Sequence, residues 1–322
     1  MRTSVAMTVV DRAAWLAERR RGVGASDVAG ILGRSPWASP WSVWVDKVGL
    51  APLDDDDPAP PLLLGRDLEP IIARWFHRVT ELHVHGEQTV IRHPDDERWF
   101  ATVDGFVLEP GTDDVGQALG VFEAKYTADR RWEQVPEHYA LQAQWALYCS
   151  GLDQVWLAAM HLPFGRPEFE VYEIARDERL IAEVALAVEH WWNTYVEGAT
   201  PPPADGHRAT TSALAAAWLD PVSVPAVDVA PLAHVVSELA ELRSTKRQLE
   251  ADIERDENII KAALGSHTEG VIDGQVVVSW RQQSRTLVDQ HAVRRDHGDA
   301  YDVHGTHRVL RLHRPPKPRR SA

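Results

Sequence analysis

These 322 residues lead one to expect a mixed α/β (α+β) fold, a small sheet flanked by helices, with a helical extension and a hairpin after it. Three observations point there. Between residues 11 and 197, segments of helical apolar spacing alternate with short runs of branched and aromatic residues. Hydrophobic residues are 44% and charged residues 25% of the chain, which excludes wholesale disorder. After a stretch rich in Pro, Ala and Thr, the pattern becomes one long heptad-like stripe.

Asp11–Arg21 reads as a short amphipathic helix ended by Gly22 and Gly24. Ser26 reads as the cap of a helix over Asp27–Leu32, with Gly33 closing it. Ser39 and Pro40 repeat the device, and Gly49 stops that helix. Asp54–Pro61 is a polar, proline-rich loop, and Gly65–Leu82 has helical spacing. Strands are expected at Thr89–Arg92, Phe100–Leu108 and Gly120–Tyr126, a helix at Val135–Ser150, and strands at Val155–Leu162 and Glu168–Ile174. A long helix over Asp177–Glu197 ends this part.

The expected division is a domain over 1–203, a linker over 204–227, a long helix or helical hairpin over 228–265, and a C-terminal hairpin with a basic tail over 266–322. Within the third part, Leu232, Val235, Leu239, Leu242, Leu249, Ile253 and Ile260 step by threes and fours, interrupted by Lys246 and Asp256. That stripe reads as a helix packed on the body or in a hairpin rather than as a free two-stranded coil. Val271–Trp280 reads as a hairpin turning at Asp273-Gly274.

The formal charge of −14, from 34 basic and 48 acidic residues, disfavours a simple nucleic-acid binder. A nuclease that holds a divalent metal escapes the objection, because its site must itself be acidic. The charge is also uneven: Asp54–Asp57 is an acidic run, whereas Arg308–Arg320 carries six basic residues and no acidic one. The single cysteine, Cys149, excludes an internal disulfide framework and a thiolate zinc site. No apolar run approaches the roughly 20 residues that span a bilayer, so no membrane partner is expected and the cytoplasm is the default location.

The chemistry concentrates in three places. Val103-Asp104-Gly105 puts a carboxylate at the end of a strand. Glu123-Ala124-Lys125 is the only acidic-x-Lys in the chain and sits in an otherwise apolar strand. Residues two apart on a strand share a face, so Glu123 and Lys125 project together. Two carboxylates there can hold a hard cation such as Mg²⁺, and an ammonium can position or deprotonate water or steady a phosphate's charge. On these residues alone the pair reads equally as a site and as an exposed strand face. The next helix adds Glu137, His138, Tyr139, Gln142, Gln144 and Tyr148. Gln142 there suits either a metal site or an ordinary helix–sheet contact.

The run from Arg21 to Ala29, Leu32 to Trp37 and Trp44 to Gly49, then Gly65 with Glu69, Val103-Asp104-Gly105, Glu123-Ala124-Lys125 and Tyr139 with Leu141–Gln144, resembles the successive blocks of YqaJ-like viral recombinases. These are relatives of phage lambda exonuclease in the PD-(D/E)xK superfamily. The resemblance covers roughly residues 12–197 and implies a restriction-endonuclease-like core. It implies that Asp104, Glu123 and the Ala124 carbonyl ligate Mg²⁺, with Mn²⁺ as a substitute, and that Lys125 activates or holds the attacking water. Gln142 would support the site, Glu69 would reach a metal or its water, and Tyr139 would contact DNA. Arg20 or Arg21, with Ser26, would receive the DNA 5′-phosphate. One departure is that Val103, not Pro, precedes Asp104.

The expected function is a Mg²⁺-dependent 5′→3′ double-strand DNA exonuclease in a bacterial or phage-infected cell. It would supply single-stranded tails to an annealing protein and could act as a homo-oligomeric ring. The rivals are an endonuclease or single-strand nuclease on the same fold, and a non-catalytic DNA-binding recombination protein. His83 with His85, and His304 with His307, lack cysteine partners and read poorly as metal sites. Trp37, Trp41 and Trp44 read as packing residues.

Overall fold

A strand buried on both faces needs helices on both sides, and the apolar run around Glu123 obtains them. The computed structural model describes residues 17–50, 60–86, 88–128, 131–218, 226–284, 290–300 and 309–312. Most of the helix expected at 11–21, the acidic run Asp54–Asp57, His304 with His307, and the tail beyond Arg314 lie outside the described residues. Two compact units are present, Met1–Trp218 and Leu219–Ala322.

The first unit opens with β1 (Val23–Gly24), α1 (Ala25–Ile31), α2 (Pro40–Lys47) and α3 (Pro60–Thr80). Five strands follow: β2 (His83–His85), β3 (Thr89–Arg92), β4 (Trp99–Val103), β5 (Gly105–Leu108) and β6 (Gly120–Thr127). Then come α4 (Glu137–Ser150), β7 (Gln154–His161), β8 (Glu168–Ala175), α5 (Glu178–Trp191) and α6 (Arg208–Ala217). The main sheet has the order β2-β5-β6-β7-β8, and β1-β4-β3 form a smaller one. Only β6 and β7 run parallel in the main sheet, joined across α4, so the α/β class and the mixed sheet are those expected.

Alternation along β6 divides its residues between two layers. Phe122 and Ala124 face α3, where Ile72 and Phe76 are fully buried and the Phe76 and Phe122 rings lie 5.2 Å apart. Val121 faces the other layer with Leu141 and Trp145 of α4 and Val184 and Val188 of α5. Glu123 and Lys125 take the same side as Val121.

Several expectations need correction. Phe100–Leu108 is not one strand: Val103 pairs with Thr89 in the small sheet and Gly105 with Phe122 in the main one, so the chain changes sheets at Asp104. The helix expected from Asp177 to Glu197 passes into a π-helical segment at Trp192–Glu197. The stretch 204–227 contains α6, whose Thr210 hydroxyl donates to Ser39 Oγ at 2.7 Å. Alanine is the best helix former, so a low-complexity Ala/Thr run can fold where it finds a partner. Trp218, after α6, meets Trp41 edge-on at 5.4 Å. Trp41 and Trp44 are buried as expected, but Trp37 is 66% exposed. The α1 cap is Gly24 rather than Ser26, and its N–H donates to Asp27 Oδ2 at 3.0 Å.

The second unit contains α7 (Ala233–Leu264), a hairpin of β9 (Glu269–Ile272) and β10 (Gln275–Ser279), and α8 (Gln290–His297). Asp273 and Gly274 both have positive φ, 50° and 78°, as a two-residue primed hairpin turn requires. No helix among the described residues is long and apolar enough to cross a membrane.

Gly105 sets the strand crossing beside Asp104. A Cβ on it would lie 2.5 Å from Val84 Cγ1 and 3.3 Å from the His85 carbonyl. Gly105→Ala should therefore cost about 1–3 kcal/mol through overpacking and lower the urea midpoint. An unchanged midpoint would show that β2 yields freely.

Candidate active site

Because Glu123 and Lys125 are two apart on β6, their side chains share a face, and the Lys125 Nζ donates to Glu123 Oε2 at 2.9 Å. Glu123 is 2% exposed and the Lys125 side chain 16%. Gln142, on α4, donates to the same Oε2 from its Nε2 at 3.2 Å. The other oxygen, Glu123 Oε1, is buried with no hydrogen-bond partner. A buried carboxylate oxygen left unpaired costs on the order of 1–3 kcal/mol or more.

Asp104 arrives from the sheet switch. Its Oδ2 accepts the Ala124 N–H at 2.9 Å, where β6 extends past its pairing with β5. A strand residue's N–H and C=O lie on one edge, so the Ala124 carbonyl also faces Asp104. Gln88 Nε2 donates to Asp104 Oδ1 at 3.2 Å and to Glu69 Oε2 at 2.9 Å, joining α3 to the switch. Gln88 holds a left-handed φ of 53°, the strained backbone that tends to persist at functional sites. Tyr139 lies under the ammonium, its ring centre 5.4 Å from Lys125 Nζ.

A cavity of about 170 Å³ opens on this cluster, lined among others by Arg19, Ser26, Arg66, Glu69, Gln88, Asp104 and Gln142. Glu123 and Lys125 do not line it; Gln142 and the Asp104–Ala124 bond connect them to it. The 5′-phosphate assignment to Arg20 and Arg21 does not fit this geometry. Arg20 donates to Asp46 at 3.1 Å, and Arg21 points outward, 80% exposed, beside Glu18. Arg19 faces the cavity instead, its Nη2 donating to Ser26 Oγ at 3.0 Å and to Asp27 Oδ1 at 3.2 Å. Three consecutive arginines cannot be told apart without the helical phase. Asp27 is also tied at 2.7 Å to Lys47, whose side chain is fully buried. Burial alone would raise the Asp27 carboxyl, but Lys47 and Arg19 outweigh it and hold it below its usual value.

Sequence reading also missed Gln88 and Arg66. Arg66 is exposed on α3, and no hydrogen bond or ion pair to it is found among the described residues. Gln144, by contrast, is structural: it donates to the Ala175 carbonyl and accepts the Asp177 N–H. His83 and His85 do lie on a strand, but among the described residues no three His, Cys, Asp or Glu groups form a ready-made metal cage.

The electrostatics are unusual. Burial, with Asp104 and Glu69 nearby, pushes the Glu123 carboxyl up to about 7 despite Lys125. Burial and then Asp104 raise Glu69 to about 7. Lys125 moves the other way from what its burial alone would give, because Glu123 and Asp104 hold it above the usual lysine range. It is an ammonium at neutral pH.

Residues 14–153 match the model of the YqaJ-like viral recombinase domain. The match takes in rather less than half of the chain. The matched span contains every site residue named above, from Arg19 to Gln142. The chain is also similar to an uncharacterized protein, YqaJ, of Bacillus subtilis (strain 168), 27% identical over 301 residues that cover 91% of this chain and 90% of that one. Among solved structures it is similar to the alkaline exonuclease LHK-Exo of Laribacter hongkongensis, with 21% identity, a TM-score of 0.44, and coverage of 57% of this chain and 93% of that one. It is similar too to a phage-related exonuclease of Haemophilus somnus 129PT, with 14% identity, a TM-score of 0.40, and coverage of 56% and 96%.

The raised carboxyls give the domain a pH signature. With folded-state values near 7 against an ordinary 4.5, the folded metal-free protein retains protons that the unfolded chain releases. That contribution is complete below about pH 4.5 and is lost as pH rises through about 7. In EDTA the urea midpoint should fall across this window, and Glu123→Gln should flatten the slope. A slope unchanged in the variant would remove Glu123 as its source.

Proposed function

We propose that the chain is a Mg²⁺-dependent exodeoxyribonuclease that digests double-stranded DNA in the 5′→3′ direction and leaves single-stranded tails for an annealing protein. The unpartnered, buried Glu123 Oε1 beside Asp104 carries this reading. Such an oxygen suits a hard cation, and the donor set is all oxygen: Asp104, Glu123 and the Ala124 carbonyl, with Glu69 within reach. With so few protein ligands, the ion would keep several waters, as Mg²⁺ prefers. When bound, it supplies a lowered water pKa and neutralises charge on the scissile phosphate. Mn²⁺ would serve the same oxygen donors.

The remaining roles belong to the chain. Lys125, kept charged by its two acidic neighbours, suits holding a water or steadying the phosphorane-like charge better than removing a proton. Tyr139 limits where its ammonium can swing. Gln142 fixes the Glu123 carboxylate, and Gln88 fixes Asp104 against Glu69. Arg19, Ser26 and Arg66 offer cationic and hydroxyl donors at the cavity wall to a terminal 5′-phosphate, in place of Arg20 and Arg21. A ring of copies around the duplex would let topology replace part of the attraction that a charge of −14 denies.

A 5′-phosphorylated linear duplex labelled at either end should lose its 5′ label first, and only with Mg²⁺ or Mn²⁺ present. Glu123→Ala and Lys125→Ala should each lower the rate by about a hundredfold to a thousandfold with the fold intact. Arg19→Ala should weaken the preference for a 5′-phosphate over a 5′-hydroxyl end. Cleavage of covalently closed circles would favour an endonuclease. Equal digestion by wild type and the Glu123 variant would reject the site.

A further inference from the structure

We propose that the C-terminal extension pairs with the same helix of a second copy of this chain, as an antiparallel two-stranded coil. α7 is 32 residues long. Leu242, Leu249, Ile253 and Ile260 recur along it at heptad spacing and form one seam. These side chains are 59%, 57%, 58% and 43% exposed. A repeated apolar stripe of this length on a charged helix is the surface that a partner helix buries.

Charge identifies the partner. Two polar residues interrupt the seam, Lys246 and Asp256, whose side chains are 75% and 65% exposed. Two copies in parallel register would set Lys246 against its own copy and Asp256 against its own, with like charges in both layers. An antiparallel pair about a two-fold axis through position 251 sets Lys246 of each copy against Asp256 of the other. The same register stacks Leu249 on Ile253 and Leu242 on Ile260, so every layer is complementary and symmetry forms both ion pairs at once. A slip of one heptad in either direction leaves each charge facing an apolar residue. A polar pair inside an apolar seam fixes orientation and register more than it adds strength. The overlap from residue 239 to 263 is roughly 37 Å at 1.5 Å per residue.

This inference uses α7 alone and stands apart from the nuclease reading. Sedimentation of the full chain at micromolar concentration tests it. Wild type should self-associate, and Lys246→Glu, which places like charges in both layers, should weaken association at least tenfold. Lys246→Asp combined with Asp256→Lys should restore it. Orientation is read from cross-linking, since Cys149 is buried and gives no background. Glu250→Cys, beside the two-fold axis, should form a disulfide-linked dimer on oxidation. Lys246→Cys, displaced from its copy by about 15 Å along the axis, should not. A wild-type monomer, a charge swap that fails to restore association, or cross-linking through Lys246→Cys in place of Glu250→Cys would each overturn the proposal.

Discussion

A carboxylate and an ammonium buried two residues apart on a central strand impose the main constraint on this molecule. Glu123 and Lys125 are both removed from water, where an isolated charge would be costly, and each makes the other tolerable. The pair does not satisfy all of its own atoms. Lys125 and Gln142 share one Glu123 oxygen, and the second oxygen is left buried without a donor. Structures rarely retain such a group without a use for it. The raised carboxyl value expresses the same tension, which a divalent cation would relieve.

The rest of the first unit holds that pair in place and brings a second carboxylate to it. α3 fills one face of β6 through Ile72 and Phe76, while α4 and α5 fill the other. The change of sheet at Asp104 carries a side chain off the ladder to the free edge of β6, where it accepts the Ala124 N–H. Had β4 and β5 continued as one strand, Asp104 would be locked in a ladder with its neighbours. Gly105 permits the turn because no Cβ fits beside Val84.

How much of this was legible in the sequence follows from how local each signal is. The Glu-x-Lys pair was visible because strand alternation alone puts both side chains on one face, and the apolar residues around it marked the strand. Asp104 was visible as a residue but its setting was not, since Phe100–Leu108 has the composition of one continuous strand. Gln88 carried no signal, because its role depends on a left-handed backbone at a turn. Arg19 was hidden beside Arg20 and Arg21, which composition cannot distinguish. α6 reads as linker in the sequence because its Ala, Thr and Ser residues form no strong apolar pattern, while the Thr210–Ser39 hydrogen bond that ties it to the start of α2 is non-local. Trp37 shares the composition of its buried neighbours Trp41 and Trp44, yet it lies on the loop between two helices and remains exposed.

If the buried carboxylates exist to hold a divalent ion, binding it near pH 7 must expel protons from them, because metal ligands bind deprotonated. Calorimetric titration of the full chain with Mn²⁺, in two buffers of different ionisation enthalpy, measures this directly. One site per chain, with a binding heat that changes between the buffers and is lost in Glu123→Gln, is the expected result. Equal Mn²⁺ binding by wild type and Glu123→Gln, or no binding by either, would contradict a carboxylate-held metal at this strand.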